Sequence, residues 1–117
     1  AVYHMYPFRY IREEFNNIPK EKFLRALNAE GIPCSSGYGK QNMDGLIEEQ
    51  LGSRGFQRLF PESRLRQWRE ENQLPGNDQL CDQALTLYQS ILLGTKSDMD
   101  DIAYAITKIY ENRNTLI

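Results

Sequence analysis

The last third of the chain joins a short apolar segment to a helix with apolar residues on one side only. The segment ALTLYQSILLG begins with a predicted strand at Ala84–Tyr88. In the helix predicted after it, Ile102, Ile106 and Ile109 recur at helical spacing and form a single apolar stripe. A helix of this kind must pack its stripe against another layer of structure. This part of the chain therefore predicts a strand covered by a helix.

The N-terminal part repeats the same combination. Aromatic and β-branched residues predict a strand over residues 2–11, and Asn16 with Asn17 predicts a turn. A helix is predicted over residues 20–30, with Gly31 as its C-terminal stop. Its apolar residues cluster on one face: Phe23, Leu24 and Leu27.

The middle of the chain predicts a short strand and several short helices. The strand covers residues 32–37. The region 43–72 is polar and mostly helical in pattern, and we expect Gly52, Gly55 and Pro61 to interrupt it. Short helices are therefore expected here instead of one long helix.

Two local signals complete the pattern. The LPGND turn at residues 74–78 is expected to separate the short helices from a helical DQLCDQA segment. Ser97 with Asp100 resembles a capping box for the last helix, predicted over residues 98–113. The element order predicts an α/β (α+β) fold, in which helices cover a small, three-stranded, mostly antiparallel sheet.

Length and composition restrict the class of protein. A chain of 117 residues fits one domain, and 40% apolar with 26% charged residues is ordinary globular composition. No apolar run approaches the roughly 20 residues that a membrane helix needs. A net charge of −2 predicts no general affinity for nucleic acid, although five arginines cluster within residues 51–69. Two cysteines with no motif spacing and no secretory signal favour a reducing compartment, the cytoplasm.

Common catalytic motifs are not matched. A phosphate-binding P-loop would need glycine where Cys34 stands and Ser or Thr where Gln41 stands, so Gly39-Lys40 is not that motif. His4 is the only histidine and lies in the predicted first strand, with no second metal ligand nearby. We interpret it as a structural residue.

A glycine-rich loop over residues 31–45 offers the best candidate site. Its glycines, including Gly37, allow close approach of the backbone, while Tyr38 and Lys40 offer a hydroxyl and a cation to a hydroxylated or anionic substrate. Arg54 could add a second cation. A plain surface turn and ordinary exposed arginines are the alternatives.

The order of three segments resembles a known family. VYHMYPFRY, KEKFLRALNAEGIPCSSGY and LCDQALTLYQSILLGTKSDMDDIAYAITKI follow one another as in the C-terminal part of the DegT/DnrJ/StrS-type sugar aminotransferases. Gly31-Ile32 and the loop carrying Tyr38 match family features in order. The resemblance covers nearly the whole chain.

The resemblance implies a pyridoxal-phosphate enzyme of the aspartate-aminotransferase fold (fold type I). Such an enzyme moves an amino group from glutamate or glutamine to a keto sugar or keto cyclitol, and a homodimer is expected. Residues 1–117 would be the small C-terminal domain of a longer chain, since the sequence begins without methionine. The Schiff-base lysine and the phosphate cup would lie on the absent large domain. We therefore expect no catalytic or cofactor-binding residue and no isolated activity here, with Gly37, Tyr38, Lys40 and Arg54 at the substrate entrance.

The chain departs from the family pattern at two places, and a second function is possible. Many relatives have histidine where Gly37 stands, and a Pro-x-Ala-Glu-like segment where residues 75–78 read Pro-Gly-Asn-Asp. The first departure suits an enzyme acting on keto cyclitols or on sugars without the usual nucleotide. The alternative function is a non-enzymatic α/β module that binds a protein partner through its sheet or its arginine-rich insert.

Overall fold

The computed structural model describes residues 3–116 and divides the chain into two compact units. The sheet unit comprises residues up to Gly37 and residues from Leu80 onward. The helical unit comprises Tyr38–Gln79. The second boundary between them, at residues 79 and 80, falls inside a helix.

The sheet unit contains the predicted three-stranded antiparallel sheet. Its strands are β1 (Met5–Arg9), β2 (Cys34–Ser35) and β3 (Ala84–Tyr88), in the order β1-β3-β2. Phe8 lies opposite Leu85, and Cys34 lies opposite Leu87. The coarse α/β prediction and the bounds of the third strand are thus confirmed. The first strand is shorter than predicted, and Val2 lies outside the described residues.

Two helices bury their apolar faces against one side of this sheet. They are α1 (Lys20–Ala29) and α6 (Lys96–Glu111), each with the apolar stripe that the sequence indicated. One contiguous core joins them to the strands. Its buried members are Tyr10, Phe23, Leu27, Cys34, Leu85, Leu87, Ile102, Ala105 and Ile109.

The ends of α1 follow the predicted turn chemistry. Asn16 and Asn17, before the helix, both have positive φ, at 52° and 60°. Gly31 has φ 85°, and its N–H bonds the carbonyl of Asn28, while the Ile32 N–H bonds the carbonyl of Leu27. This pair of hydrogen bonds is a Schellman motif, which explains why a glycine ends the helix.

The start of α6 corrects one prediction. The capping box is formed by Thr95 and Asp98, not by Ser97 and Asp100. Thr95 Oγ1 accepts from the Asp98 N–H at 3.4 Å, and Asp98 Oδ2 accepts from the Thr95 N–H at 2.6 Å. Both pairs have the spacing of a capping box, and the helix begins two residues earlier than predicted, with Lys96 as its first residue.

Side chains and proline satisfy or remove backbone groups at the two outer strands. Asn28 donates from Nδ2 to the Cys34 carbonyl at 3.0 Å and accepts from the Cys34 N–H at 3.3 Å, as a neighbouring strand would. On either side of β1, the His4 carbonyl accepts from the Gln89 N–H and the Tyr10 N–H donates to the Gln83 carbonyl, so both face the chain of β3. Backbone groups along an edge strand point alternately toward and away from the neighbouring strand, and Pro7 lies three residues from both His4 and Tyr10. An N–H at position 7 would therefore point away from the sheet.

The helical unit consists of short helices. They are α2 (Gly45–Leu51), α3 (Arg54–Leu59) and α4 (Glu62–Glu71), and α5 (Pro75–Gln83) begins in this unit. Gly52 and Pro61 interrupt the pattern as predicted. Gly55 does not interrupt it. It is the second residue of α3, because the cap of this helix is Ser53, whose Oγ accepts from the Phe56 N–H.

The prediction of a turn at LPGND is wrong for four of its five residues, which are helical. Pro75 opens α5, and the Asp78 N–H bonds the Leu74 carbonyl at 2.9 Å, so that PGND forms the first helical turn. Proline is favoured at a first helical position because its missing N–H would have no partner there. Among residues 3–116, no helix is both long and apolar enough to cross a membrane.

Candidate functional site

Gly37 is held in a conformation that favours glycine. Its φ is 69°, and a Cβ built on it would lie 2.9 Å from Thr86 Oγ1. Thr86 is a buried residue of the central strand β3. The glycine therefore permits a close approach of the loop backbone to the sheet, which is a structural reason for its presence.

Tyr38 and Lys40, at the start of the helical unit, have different surroundings. The Tyr38 side chain is exposed, at 68%. The Lys40 ammonium lies 3.9 Å from Asp78 Oδ1, and both side chains are about one-third exposed. That oxygen is buried and accepts no hydrogen bond from the described residues. The positive charge of Lys40 therefore compensates the negative charge of the carboxylate. Lys40, which was predicted to bind an anionic substrate, therefore already pairs with the carboxylate of Asp78.

Arg54 is the first residue of α3, and its side chain is exposed. Among residues 3–116, no hydrogen bond or ion pair links it to Tyr38 or Lys40. The four predicted substrate-binding residues are therefore distributed over the loop after β2 and the start of α3, and no side-chain hydrogen bond or ion pair among the described residues joins them.

A cleft in the helical unit, lined by both polar and apolar side chains, was not predicted from the sequence. It has a volume of about 260 Å³ and we call it the Trp68 cleft. No spacing motif predicts it, since its residues come from the loop before α2, from α2 and from the end of α4. The usable signal was one tryptophan followed by two amides at positions 72 and 73. Its lining is Asn42, Met43, Glu48, Trp68, Arg69, Asn72 and Gln73.

Hydrogen bonds fix most of the polar side chains of this cleft. Asn42 donates from Nδ2 to the Asn72 carbonyl at 2.8 Å and accepts from Asn77 Nδ2 at 3.3 Å. Arg69 donates from Nε to both carboxylate oxygens of Glu48, at 3.2 and 3.0 Å, and its NH2 group lies 3.0 Å from Oε2. The cleft is therefore built from oriented groups, as ligand recognition requires.

The lysines of the sheet unit serve structural roles. Lys20 donates to the carbonyls of Cys81 and Ala84, at 2.7 and 3.5 Å, and so places its charge at the C-terminal end of α5. The Lys20 residue is half-buried. Lys108 bonds Glu30 at 2.7 Å, and this hydrogen bond and the glutamate charge raise the pKa of the lysine.

Cys34 and His4 also have structural surroundings. Cys34 belongs to the core, and burial raises the pKa of its thiol, which lowers the thiolate fraction at neutral pH. His4 lies one residue before β1, not inside the strand as predicted, and its side chain is exposed. Within the described part of the chain, no three metal-ligating side chains cluster.

Comparisons with protein-family models, with curated proteins and with solved structures give no match to this chain.

Proposed function

We propose that this chain is the small C-terminal domain of a pyridoxal-phosphate aminotransferase acting on a keto sugar or keto cyclitol. The proposal is supported by the order of elements: β1, then α1 with its Gly31-Ile32 end, then β2 and a tyrosine-bearing loop, then β3 and α6. This is the order that the family resemblance implies. The single observation that carries the proposal is the exposed Tyr38, which follows Gly37 in the loop after β2.

The remaining parts of the enzyme belong to the proposed large domain. That domain would supply the Schiff-base lysine and bind the cofactor phosphate, and the cofactor would act as the electron sink. The amino donor is glutamate or glutamine, the assembly a homodimer and the compartment the cytoplasm. On this chain, the tyrosine hydroxyl and the Lys40 ammonium would contact the sugar at the entrance.

The arginine cluster gives little support for nucleic-acid binding. Arg64 pairs with Glu71 at 3.2 Å, and Arg69 pairs with Glu48 at 3.0 Å, so two of the five positive charges are already compensated. A nucleic-acid surface would need several cations free to contact phosphates.

Two experiments test the proposal. The chain alone should form no borohydride-reducible adduct with pyridoxal phosphate, and such an adduct would contradict the assignment of the lysine to another domain. In the longer enzyme, Tyr38→Phe and Lys40→Ala should each weaken the sugar half-reaction by about 1 to 3 kcal/mol of transition-state free energy. Binding of the cofactor by the longer enzyme, followed by absorbance, should be normal in both variants.

A non-enzymatic interaction module is the second candidate, because the helical unit exposes apolar side chains. Leu46 is 64% exposed and Leu59 is 75% exposed. Exposed apolar patches commonly mark protein contacts. The sequence upstream of this chain distinguishes the two functions: a large domain with a lysine after a strand supports the enzyme, and repeats or another binding domain support the module.

A further inference from the structure

The Trp68 cleft has the size of a site for one small ring. Ligand pockets for drug-sized molecules occupy about 300–1,000 Å³, and this cleft, at about 260 Å³, lies just below that range. A single six-membered ring with its substituents suits such a volume. A nucleotide-linked sugar, with a base and two phosphates, does not.

Asn72 and Gln73 each use the side-chain nitrogen to bond a backbone carbonyl, which leaves the side-chain oxygen for another partner. Asn72 uses its Nδ2 to donate to the Trp68 carbonyl at 2.9 Å, and Gln73 uses its Nε2 to donate to the Arg69 carbonyl at 3.1 Å. Since each nitrogen is committed to a carbonyl, the oxygen of each amide points elsewhere. Among the described residues, neither oxygen accepts a hydrogen bond, so both can accept from ligand hydroxyl groups.

The charged groups of the cleft cancel one another. Glu48 and Arg69 are its only ionised lining residues, and they form the three close contacts described above. The paired carboxylate keeps lone pairs for hydroxyl donors, and the guanidinium keeps N–H groups for hydroxyl acceptors. Because the pair has no net charge, a neutral ligand is favoured over a phosphate or carboxylate.

Trp68 supplies the apolar surface. Its indole is half-buried, lines the cleft beside Met43, and makes no hydrogen bond from its N–H within residues 3–116. A flat indole face packs well against the C–H face of a sugar ring, while its N–H can donate to a hydroxyl.

We infer that the Trp68 cleft binds the neutral, hydroxyl-bearing ring of a single sugar or cyclitol. The site lies entirely within the helical unit; it shares Asn42 and Met43 with the glycine-rich loop over residues 31–45 but contains neither Tyr38 nor Lys40. The inference deepens the proposed function, from which it takes the ligand class, but the binding itself requires neither the cofactor nor the large domain.

Tryptophan fluorescence of this chain tests the inference directly, because Trp68 is the only tryptophan. Titration with D-glucose and, separately, with myo-inositol should change the emission saturably for at least one probe. For a ligand of about twelve non-hydrogen atoms, a dissociation constant in the range of about 1 to 10 mM is expected. Glucose 6-phosphate should bind more weakly than glucose because the cleft has no net positive charge.

Matched variants assign the signal to the cleft. Gln73→Ala should weaken binding about 5-fold or more because it removes one acceptor. Gln67→Ala is the control, since Gln67 also makes one side-chain bond on the same helix, to Glu71 at 2.7 Å, and does not line the cleft. Circular dichroism verifies that both variants fold. Glu48→Gln, which retains the shape, provides a second test of the polar contacts.

The inference is overturned if neither probe changes the fluorescence or the indole N–H chemical shift at 100 mM. Equal loss of binding in the Gln67→Ala and Gln73→Ala variants would also overturn it. Neither result would contradict the aminotransferase proposal, whose substrate would then bind elsewhere. Conversely, an upstream sequence without a cofactor domain would defeat that proposal and leave the measured sugar binding intact.

Discussion

The sheet unit and the helical unit are stabilised in different ways. The sheet unit contains one core of nine buried residues. Two of them, Tyr10 and Phe23, form a packed aromatic group with the partly buried Phe15, with ring centroids 4.8 to 5.0 Å apart. The helical unit, over Tyr38–Gln79, has two buried apolar residues, Leu51 and Leu65. Its short helices are held largely by caps, ion pairs and amide hydrogen bonds.

We expect the sheet unit to provide most of the stability and the helical unit to provide polar groups for ligand binding. Apolar burial is the dominant favourable term in folding, so the sheet unit should contribute most of the free energy of unfolding. Polar side chains that do not fill a core can be oriented for a ligand, as in the Trp68 cleft. Regions with little apolar burial also open most readily, which suits a region that contacts ligands.

The largest expected effect is in the core of the sheet unit. Leu85→Ala removes a side chain with 0% exposure from the central strand and should lower the free energy of unfolding by about 3 to 5 kcal/mol. Urea denaturation measures this loss. Leu59→Ala is the control, because Leu59 is 75% exposed and its loss should cost little. Similar costs for the two variants would contradict the assignment of the core.

A smaller effect is expected from the same substitution in the helical unit. Leu65 is 7% exposed but has few buried neighbours, so Leu65→Ala should cost about 2 kcal/mol, at the low end for buried leucines. Hydrogen exchange should then show faster exchange of amides in α2 and α4, with protection in β3 unchanged. Loss of protection in β3 to the same extent would show that the two units unfold together.

Two glycines of the sheet unit allow strain and steric clash to be separated. Gly31→Ala meets no atom within 4 Å and should cost about 1 kcal/mol, from its positive φ alone. Gly37→Ala has a similar φ and adds the clash with Thr86 Oγ1, so it should cost about 2 kcal/mol. Thermal denaturation of both variants measures the difference. If Gly37→Ala is the milder change, the close approach to Thr86 is not present in solution.

The smallest effect concerns the cap of α6. Thr95→Ala should cost about 1 kcal/mol, and Ser97→Ala should cost almost nothing. Hydrogen bonds from the Thr95 side chain and backbone lower the pKa of Asp98. A lowered pKa in the folded state means that the stabilisation is complete above the ordinary carboxyl pKa and is lost as the pH falls through the lowered value. The difference between the Thr95→Ala variant and the wild type should therefore shrink in acid.

The core of the sheet unit was predictable because its signals are local. The strand Ala84–Tyr88, the stripe of α6 and the stop at Gly31 each depend on residue spacing or on one backbone conformation. The fold class followed from the order of these elements. The aminotransferase assignment stays a prediction.

The helical unit was less predictable because its decisive contacts are tertiary. The Trp68 cleft unites side chains more than twenty residues apart, such as Arg69 and Glu48, through bonds that no periodic pattern indicates. The misplaced cap of α6 has a different cause. Two polar-acidic pairs at the same spacing, Thr95 with Asp98 and Ser97 with Asp100, occur in the sequence, and their spacing alone does not distinguish them.

The side-chain bonds of Asn28 to β2 and the position of Pro7 in β1 restrict how this protein can meet others. A sheet recruits an additional strand through unpaired N–H and carbonyl groups on its outer strands. One outer strand here has these groups at Cys34 occupied, and the other has a proline where a central outward N–H would be. Assembly by strand addition is therefore disfavoured at these positions of both outer strands, which favours recognition of this domain through its side-chain surfaces.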